Sequence, residues 1–241
     1  MQKTQLIISG NYHVMLQLLP TRQYLLSKSS KQKHSPILNR STPTGSLECF
    51  IPGTDWDSTT KDKCLCKQDF YGKDCGIPDS VWFGHFKDHP EERKALVRRP
   101  KLRRLIHSVP VNHEFDFFET RIATLSDVTD VFVIQESNFT AFGTSKNLFF
   151  LQKLKQGWLP DDVNSKILYI FLSFFSRNIS GWEADRFIRK HLSVEALKMI
   201  QGVRDDDLFL LLDSDEIPLP EPLLFLKIYD GFGEPVRWNF K

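Results

Sequence analysis

From Leu105 onward, short apolar runs of strand length alternate with longer amphipathic segments. The short runs are rich in Val, Ile, Leu and Phe, which is typical of strands buried on both faces of a parallel sheet. These runs are LIHSVPV (105–111), DVFVIQES (130–137), KILYIFLSFF (166–175) and DLFLLLD (207–213). Because strand and helix alternate, the pattern predicts a Rossmann-like α/β domain with right-handed crossovers over residues 104–241.

Two amphipathic segments supply the predicted helices, EFDFFETRIATL (114–125) and EADRFIRKHLSVEALKMIQ (183–201). Ser180 stands three residues before Glu183, which is the spacing of a capping box at a helix start. Gly202 stands where this helix is expected to end. The sequence shows no internal repeat and no glycine-rich phosphate loop.

The N-terminal stretch differs in composition from the rest of the chain. Residues 1–47 contain no Asp or Glu, and their basic residues are spread among Ser, Thr and Gln. Such a segment cannot bury enough apolar surface to order itself, so we predict a disordered basic tail. Its apolar pieces are too short for a membrane span, which needs about 18–20 residues. The composition also fits a mitochondrial transit peptide, which the cysteine content disfavours.

All four cysteines of the chain lie between residues 49 and 75. This segregation indicates a small stapled module and not catalytic thiols. The spacing Cys64-x-Cys66, followed by eight residues to Cys75 within DFYGKDCG, resembles the second half of an epidermal-growth-factor-like (EGF-like) domain. That resemblance implies the pairs Cys49–Cys64 and Cys66–Cys75, one of three connectivities. Four thiolate ligands of a zinc ion remain an alternative with poorer spacing.

The module is predicted to span residues 48–78, and the Arg- and Lys-rich residues 79–103 to form a basic linker. Three N-x-S/T sequons, at Asn39, Asn138 and Asn178, agree with an oxidising, lumenal or extracellular compartment. The net charge of +2 is too small to argue for a nucleic-acid partner.

The stretch FLLLDSDEIP (209–218) delivers carboxylates at the end of an apolar strand. In open α/β sheets, ligands bind beyond the carboxyl ends of the strands. Asp213 and Asp215 suit Mg²⁺ or Mn²⁺, which retain coordination positions for water and phosphate oxygens. A solvated acidic turn without a ligand fits the pattern equally well. A haloacid-dehalogenase-type phosphohydrolase is a more remote alternative, because only 26 residues follow Asp215.

Several ungapped blocks resemble the β-1,4-mannosyl-glycoprotein 4-β-N-acetylglucosaminyltransferases, which make the bisecting branch of N-glycans. The blocks are VNHEFD (111–116), ESNFTAFG (136–143), DSDEIP (213–218) and LFLKIYDGFGEP (224–235), together with ECFIPGT and CLCKQDFYGKDCGIP in the cysteine module. The resemblance implies a Rossmann-like glycosyltransferase A-type domain. It also implies an inverting transfer of N-acetylglucosamine from its UDP-linked donor to the core β-mannose of N-glycans.

The same resemblance assigns expected roles to residues of the site. Asp213 and Asp215 would bind a divalent metal, Mn²⁺ by preference, and through it the diphosphate. Donor contacts are expected from Asn112, His113, Glu114, Glu136 and Glu216, with helix capping by Asn112 as an alternative. No catalytic base is assigned, although Asp230 and Glu234 are candidates. Trp158, Trp182 and Trp238 are expected in the core or against sugar faces.

The family resemblance further implies a type II membrane protein of the Golgi lumen, whose anchor is not visible in this chain. Because family members continue well beyond the metal-binding strand, we expect residues 104–241 to be the donor-binding part of an incomplete domain. An inactive fragment, or a secreted glycan-binding protein with an EGF-like module, is therefore the alternative function.

Overall fold

A computed structural model describes residues 24–25, 37–42, 45–140, 142–173 and 180–233 of the chain. The chain forms two compact units. The first comprises residues 1–30 and 104–218, and the second comprises residues 31–103 and 219–241.

The elements of the described residues are numbered in chain order. The strands are β1 (Tyr24–Leu25), β2 (Ile37–Thr42), β3 (Gly45–Phe50), β4 (Phe70–Tyr71), β5 (Ile77–Pro78), β6 (Val97–Arg98), β7 (Leu105–Val111), β8 (Val131–Ser137), β9 (Ile167–Leu172), β10 (Ile200–Gln201), β11 (Leu208–Leu211) and β12 (Tyr229–Asp230). The helices are α1 (Asp79–Trp82), α2 (His85–Asp88), α3 (Glu92–Ala95), α4 (Phe115–Leu125), α5 (Phe149–Lys155), α6 (Asp161–Asn164), α7 (Gly181–Met199) and α8 (Pro220–Ile228).

The first unit is built on a four-stranded parallel sheet in the order β11-β7-β8-β9. The register places Leu208 opposite Leu105 and Ile106 opposite Val131. Strands β7 and β8 are almost entirely buried, as their continuous apolar sequences require. The predicted parallel α/β sheet is therefore confirmed.

Helices cover the two faces of this sheet. Helix α7 packs on one face, where its Leu192 and Ala196 join a cluster of strand side chains. Those strand side chains are Ile106, Val131, Val133, Leu168 and Ile170, with Phe209 and Leu211 packed against them. His107 points to the opposite face, because successive strand residues alternate, and there it contacts Arg121 of helix α4.

Helix α7 begins with the predicted capping box. The Ser180 hydroxyl accepts a hydrogen bond from the amide of Glu183 at 3.3 Å, and the Glu183 carboxylate accepts one from the amide of Ser180 at 2.8 Å. Gly202 adopts φ +74° shortly after the helix ends, a conformation that favours glycine. Both ends of this helix are thus where the sequence predicted them.

Two disulfide bonds hold the cysteine module in the second unit. Cys49 pairs with Cys64, and Cys66 pairs with Cys75, which confirms the predicted connectivity. No free cysteine remains, so the zinc alternative is wrong. In a module this small, such cross-links replace the hydrophobic core that the chain is too short to build.

Residues 79–103, predicted as a basic linker, instead contain helices α1, α2 and α3 and strand β6. Val81 and Phe86 are fully buried, and Phe86 packs edge-on against Phe225 of α8. The structure differs from the prediction because apolar residues scattered among charges gave no periodic signal.

Three arginines of this segment, Arg98, Arg99 and Arg103, are paired with carboxylates. Arg98 forms ion pairs with Glu48 and Asp74, and Asp74 also accepts a hydrogen bond from the Tyr229 hydroxyl. The sequence suggested that these charges face solvent. They instead connect the cysteine module to other parts of the second unit.

Strands also occur inside the stretch predicted as a tail. Strands β2 and β3 form an antiparallel hairpin, with Ile37 opposite Phe50, and β3 runs across the predicted boundary at residue 47. Strand β1 pairs in parallel with β10. The other residues of this stretch lie outside the described residues. In the part of the chain that is described, none of the helices has the length and apolarity needed to cross a membrane.

Candidate active site

The order of the sheet strands defines where a ligand site is expected. Along the chain β7 comes first, then β8 and β9 on one side, and finally β11 on the other side of β7. The strand order therefore reverses between β7 and β11. Because of this reversal, the connecting helices α4 and α7 lie on opposite faces of the sheet. Ligands of open α/β sheets bind in the crevice at this point, beyond the carboxyl ends of the strands.

The acidic stretch lies at the carboxyl end of β11. Backbone pairing continues one residue past the strand, where the amide of Leu212 donates to the carbonyl of Ser108 at 3.3 Å. The chain then turns, and the amide of Glu216 donates to the carbonyl of Asp213 at 3.2 Å. Asp215 and Glu216 are exposed, and Asp213 is partly exposed. The carboxylates of this turn are therefore open to solvent.

Asp213 is held by helix α7. Phe209 and Leu211 pack on the α7 face of the sheet, and Asp213 continues that alternation beyond the strand. Its carboxylate accepts a hydrogen bond from Arg189, which also donates to Asp185 at 2.9 Å. The two carboxylates thus share one guanidinium group.

Arg121 holds the backbone of the same turn from the other face of the sheet. Its side chain is fully buried and donates to the carbonyls of Asp213 at 2.7 Å and Ser214 at 2.9 Å. Its other terminal nitrogen lies 2.7 Å from Nε2 of His107. Burial, together with the Arg121 charge, lowers the pKa of His107 to about 3, so His107 is neutral and accepts this hydrogen bond.

Arg121 remains charged despite its burial. Loss of solvent lowers its pKa to about 10, and the nearby carboxylates of Asp215, Glu216 and Asp213 oppose that decrease. The sequence analysis did not find Arg121. A signal was present, because Arg121 lies on the apolar stripe that Phe118, Ile122 and Leu125 form along α4.

Replacing Arg121 with methionine is expected to lower the free energy of unfolding by about 2 kcal/mol, because two carbonyls and His107 lose a charged, buried donor. Hydrogen exchange of the amides of residues 213–216 should accelerate. Arg186→Met, on the exposed face of α7, is the matched control. Equal thermal midpoints and equal exchange rates in the two variants would contradict the role of Arg121.

The electrostatics of the turn fit a cation. Burial and the neighbouring carboxylates of Glu216, Asp185 and Asp215 raise the pKa of Asp213, although Arg189 acts in the opposite direction. A divalent ion would relieve this repulsion between carboxylates. Oxygen donors that leave room for water and phosphate are the ligands that Mg²⁺ and Mn²⁺ prefer.

A second acidic cluster occurs in the other unit. Among the described residues, His89, Glu91 and Glu92 are the group whose three ligand atoms all lie within 4.8 Å of one another. The carboxylates of the Asp213–Glu216 turn are not gathered so closely. A metal at this turn would therefore take fewer than three ligands from its carboxylates, and water or a substrate would supply the others.

The residues after β7 stabilise their own turn. The Glu114 carboxylate accepts hydrogen bonds from the amides of Asn112 at 2.8 Å and His113 at 3.1 Å. Helix α4 begins at Phe115 without a side-chain cap, so the alternative role of Asn112 as a helix cap is not seen. Asn112 and Glu114 do lie at the carboxyl end of β7, beside the crevice.

Glu136 is placed differently from the prediction that it faces a donor. It is fully buried, and its carboxylate accepts hydrogen bonds from the amides of Phe150 at 2.9 Å and Leu151 at 3.0 Å. The Tyr169 hydroxyl donates a third hydrogen bond at 2.7 Å. Glu136 therefore satisfies the first amides of α5, a structural role that leaves no open face for a ligand.

The candidates for a catalytic base have no support from the described residues. Asp230 forms ion pairs with both Arg99 and Arg103, so its carboxylate is already engaged. Glu234 lies outside the described residues.

The tryptophan and sequon predictions have mixed outcomes. Trp158 packs against aromatic side chains, Trp182 is exposed, and Trp238 lies outside the described residues. Of the sequons, Asn138 has a buried side-chain oxygen. Asn178 and the side chain of Asn39 lie outside the part that is described.

Comparison with known proteins identifies the family. The sequence profile of glycosyltransferase family 17 matches residues 91–241. The chain belongs to glycosyltransferase family 17. It is 37% identical over 181 residues to the human protein named beta-1,4-mannosyl-glycoprotein 4-beta-N-acetylglucosaminyltransferase, and 36% identical to the rat and mouse proteins of that name.

Each of these alignments covers 74% of this chain and 33% of the relative. The chain thus spans about a third of the length of these curated relatives. No solved structure matches it. Glycosyltransferases of this kind commonly use a divalent metal, and the acidic turn after β11 lies inside the matched region.

Proposed function

We propose that this chain carries the donor-binding part of an inverting N-acetylglucosaminyltransferase with a Rossmann-like, glycosyltransferase A-type domain. Its donor is UDP-N-acetylglucosamine, and its acceptor is the core β-mannose of N-glycans on glycoproteins, modified in β-1,4 linkage. One observation carries the proposal: in a family 17 chain, Asp213 and Asp215 lie at the carboxyl end of β11, where the strand order reverses.

The residues of the turn have distinct tasks in this proposal. Asp213 and Asp215 would hold the metal, Mn²⁺ by preference, whose positive charge would neutralise the negative charge of the departing diphosphate. Glu216 accepts a hydrogen bond from the amide of Asp213 at 3.3 Å and so stiffens the turn. Arg121 fixes the carbonyls of Asp213 and Ser214, which limits the freedom of both carboxylates.

The proposed compartment is the lumen of the Golgi, with the protein as a type II membrane enzyme. Two disulfide bonds support an oxidising environment, because such bonds rarely persist in the cytosol. The names of the relatives describe enzymes that act on glycoproteins, which are processed in that compartment.

The test is donor binding and turnover by the purified, disulfide-bonded chain. Calorimetry should detect UDP binding with Mn²⁺ and a loss of affinity with EDTA, and UDP release from UDP-N-acetylglucosamine should depend on the metal in the same way. GDP-mannose is the control donor. Failure to bind UDP with Mn²⁺, or equal UDP affinity with Mn²⁺ and with EDTA, would overturn the proposal.

A further inference from the structure

Two buried polar atoms near the end of β8 have no hydrogen-bond partner. They are Nζ of Lys146 and Oδ1 of Asn138, and neither has a partner among the described residues. Buried polar groups in folded proteins are almost always hydrogen-bonded, either to protein, to water or to a ligand. An ammonium group and an amide oxygen left unpaired in one loop therefore require an explanation.

The backbone places these two side chains on the same side of the loop. Phe139 and Ser145 form an antiparallel bridge, and the amide of Lys146 donates to the carbonyl of Asn138 at 2.8 Å. Asn138 and Lys146 are consequently directly opposite each other across this pair. Side chains at such positions lie on one face, with Cβ atoms about 5 Å apart.

Two carboxylates near Lys146 attract its charge, but neither forms a hydrogen bond with it. Burial lowers the pKa of Lys146, and the charges of Glu136 and Glu114 oppose that shift. Both carboxylates already accept backbone hydrogen bonds, Glu136 from the start of α5 and Glu114 from its own turn. The ammonium group of Lys146 therefore has donors that no described residue accepts.

Lys146 and Asn138 lie at the edge of the sheet where the crevice is expected. Asn138 directly follows β8, so both side chains lie beyond the carboxyl end of that strand, at the same edge of the sheet as Asp213. Strand β7 separates β8 from β11, and two strand spacings amount to about 9–10 Å. A nucleoside diphosphate whose phosphates lie at the acidic turn can extend that far with its base.

We propose that Lys146 and Asn138 bind the uracil base of the donor. The proposal rests on the proposed function, because it names the residues that hold the base of that same donor. Uracil presents an N–H group flanked by two carbonyl oxygens. The Asn138 oxygen accepts from the N–H, and the Lys146 ammonium donates to one of the carbonyl oxygens. This role also accounts for the burial of the Asn138 side-chain oxygen, although Asn138 lies in a sequon.

The experiment compares UDP with pyrophosphate as ligands, in the presence of Mn²⁺. Lys146→Met retains the apolar stem and Asn138→Leu retains the volume, and each is expected to weaken UDP binding about tenfold, since each removes one buried hydrogen bond. Pyrophosphate affinity should remain unchanged. Lys155→Met and Asn147→Leu, at exposed positions, are the matched controls.

A stability measurement separates this role from a structural one. Because Lys146 buries an ammonium without a hydrogen-bond partner, Lys146→Met should raise the thermal midpoint while it weakens UDP binding. A lower midpoint with unchanged UDP affinity would overturn the proposal, and so would an equal loss of UDP and pyrophosphate affinity. If the wild-type chain does not bind UDP at all, the proposed function fails as well. If it binds UDP and the variants bind equally well, this inference alone fails.

Discussion

Replacing Asp215 with asparagine is expected to lower Mn²⁺ affinity by about 100-fold, equivalent to about 3 kcal/mol, and to leave the fold intact. Asp215 is exposed, and no ion pair holds its carboxylate among the described residues. The substitution removes the charge of a proposed metal ligand and almost nothing else. The thermal midpoint of Asp215→Asn should differ little from that of the wild type, equivalent to a change in stability of no more than about 0.5 kcal/mol.

Arg189→Gln tests whether the loss of Mn²⁺ affinity is specific to the removal of a carboxylate. Arg189 donates to Asp213, so its charge competes with a metal ion for the same carboxylate. Its removal should leave Mn²⁺ affinity unchanged or increase it, whereas Asp215→Asn decreases it. Calorimetric titration of Mn²⁺ into both variants without nucleotide measures the difference. Wild-type affinity in Asp215→Asn would show that Asp215 is not a ligand.

The sheet and the position of the acidic turn were predictable because each depends on a local pattern. The run 105–111 matches β7 residue for residue, and Ser180 with Glu183 marks the start of α7. A strand that ends in carboxylates can deliver them only to the edge of a parallel sheet. Strand order was not predicted, since apolar runs show that strands are buried but not which strands are neighbours.

The residues that support the turn were missed because their partners are distant in the sequence. Arg121 reaches carbonyls that follow it by more than 90 residues, and backbone carbonyls have no signature in a sequence. Glu136 was assigned to the donor because it ends a strand, yet its partners are the amides of a short helix that begins at Phe149. The position of a residue at a strand end could be predicted from the sequence, but the direction in which its side chain points could not.

The pairing of β11 with β7 depends on a buried ion pair at the amino ends of the two strands. Asp207 immediately precedes β11, Arg104 immediately precedes β7, and their side chains are 2% and 5% exposed. The Asp207 carboxylate accepts from Nε of Arg104 at 2.9 Å and from the amide of Arg204 at 2.7 Å. This contact fixes the register that places Asp213 beside the end of β7.

We therefore expect Asp207→Asn to lower the free energy of unfolding by about 3–5 kcal/mol at pH 7, because it leaves the Arg104 charge buried without its partner. Asp127→Asn, at an exposed position, should change stability by no more than about 0.5 kcal/mol. Chemical denaturation, with hydrogen exchange of the β7 and β11 amides, measures both. Equal stabilities of the two variants would contradict the role of this pair.

The dependence on pH follows from the pKa of Asp207. Burial alone would raise this pKa, but the hydrogen bonds and charges of Arg104 and Arg204 outweigh burial and hold it below its ordinary value of 3.8. A carboxyl group with a lowered folded-state pKa stabilises the fold above its unfolded-state pKa and loses that contribution as the pH falls through the folded-state pKa. The stability difference between wild type and Asp207→Asn should therefore be constant from pH 7 to about pH 5 and should shrink below about pH 4. A difference that grows on acidification would show that Asp207 is protonated in the native sheet at neutral pH, and that the strand pair is not held by charge.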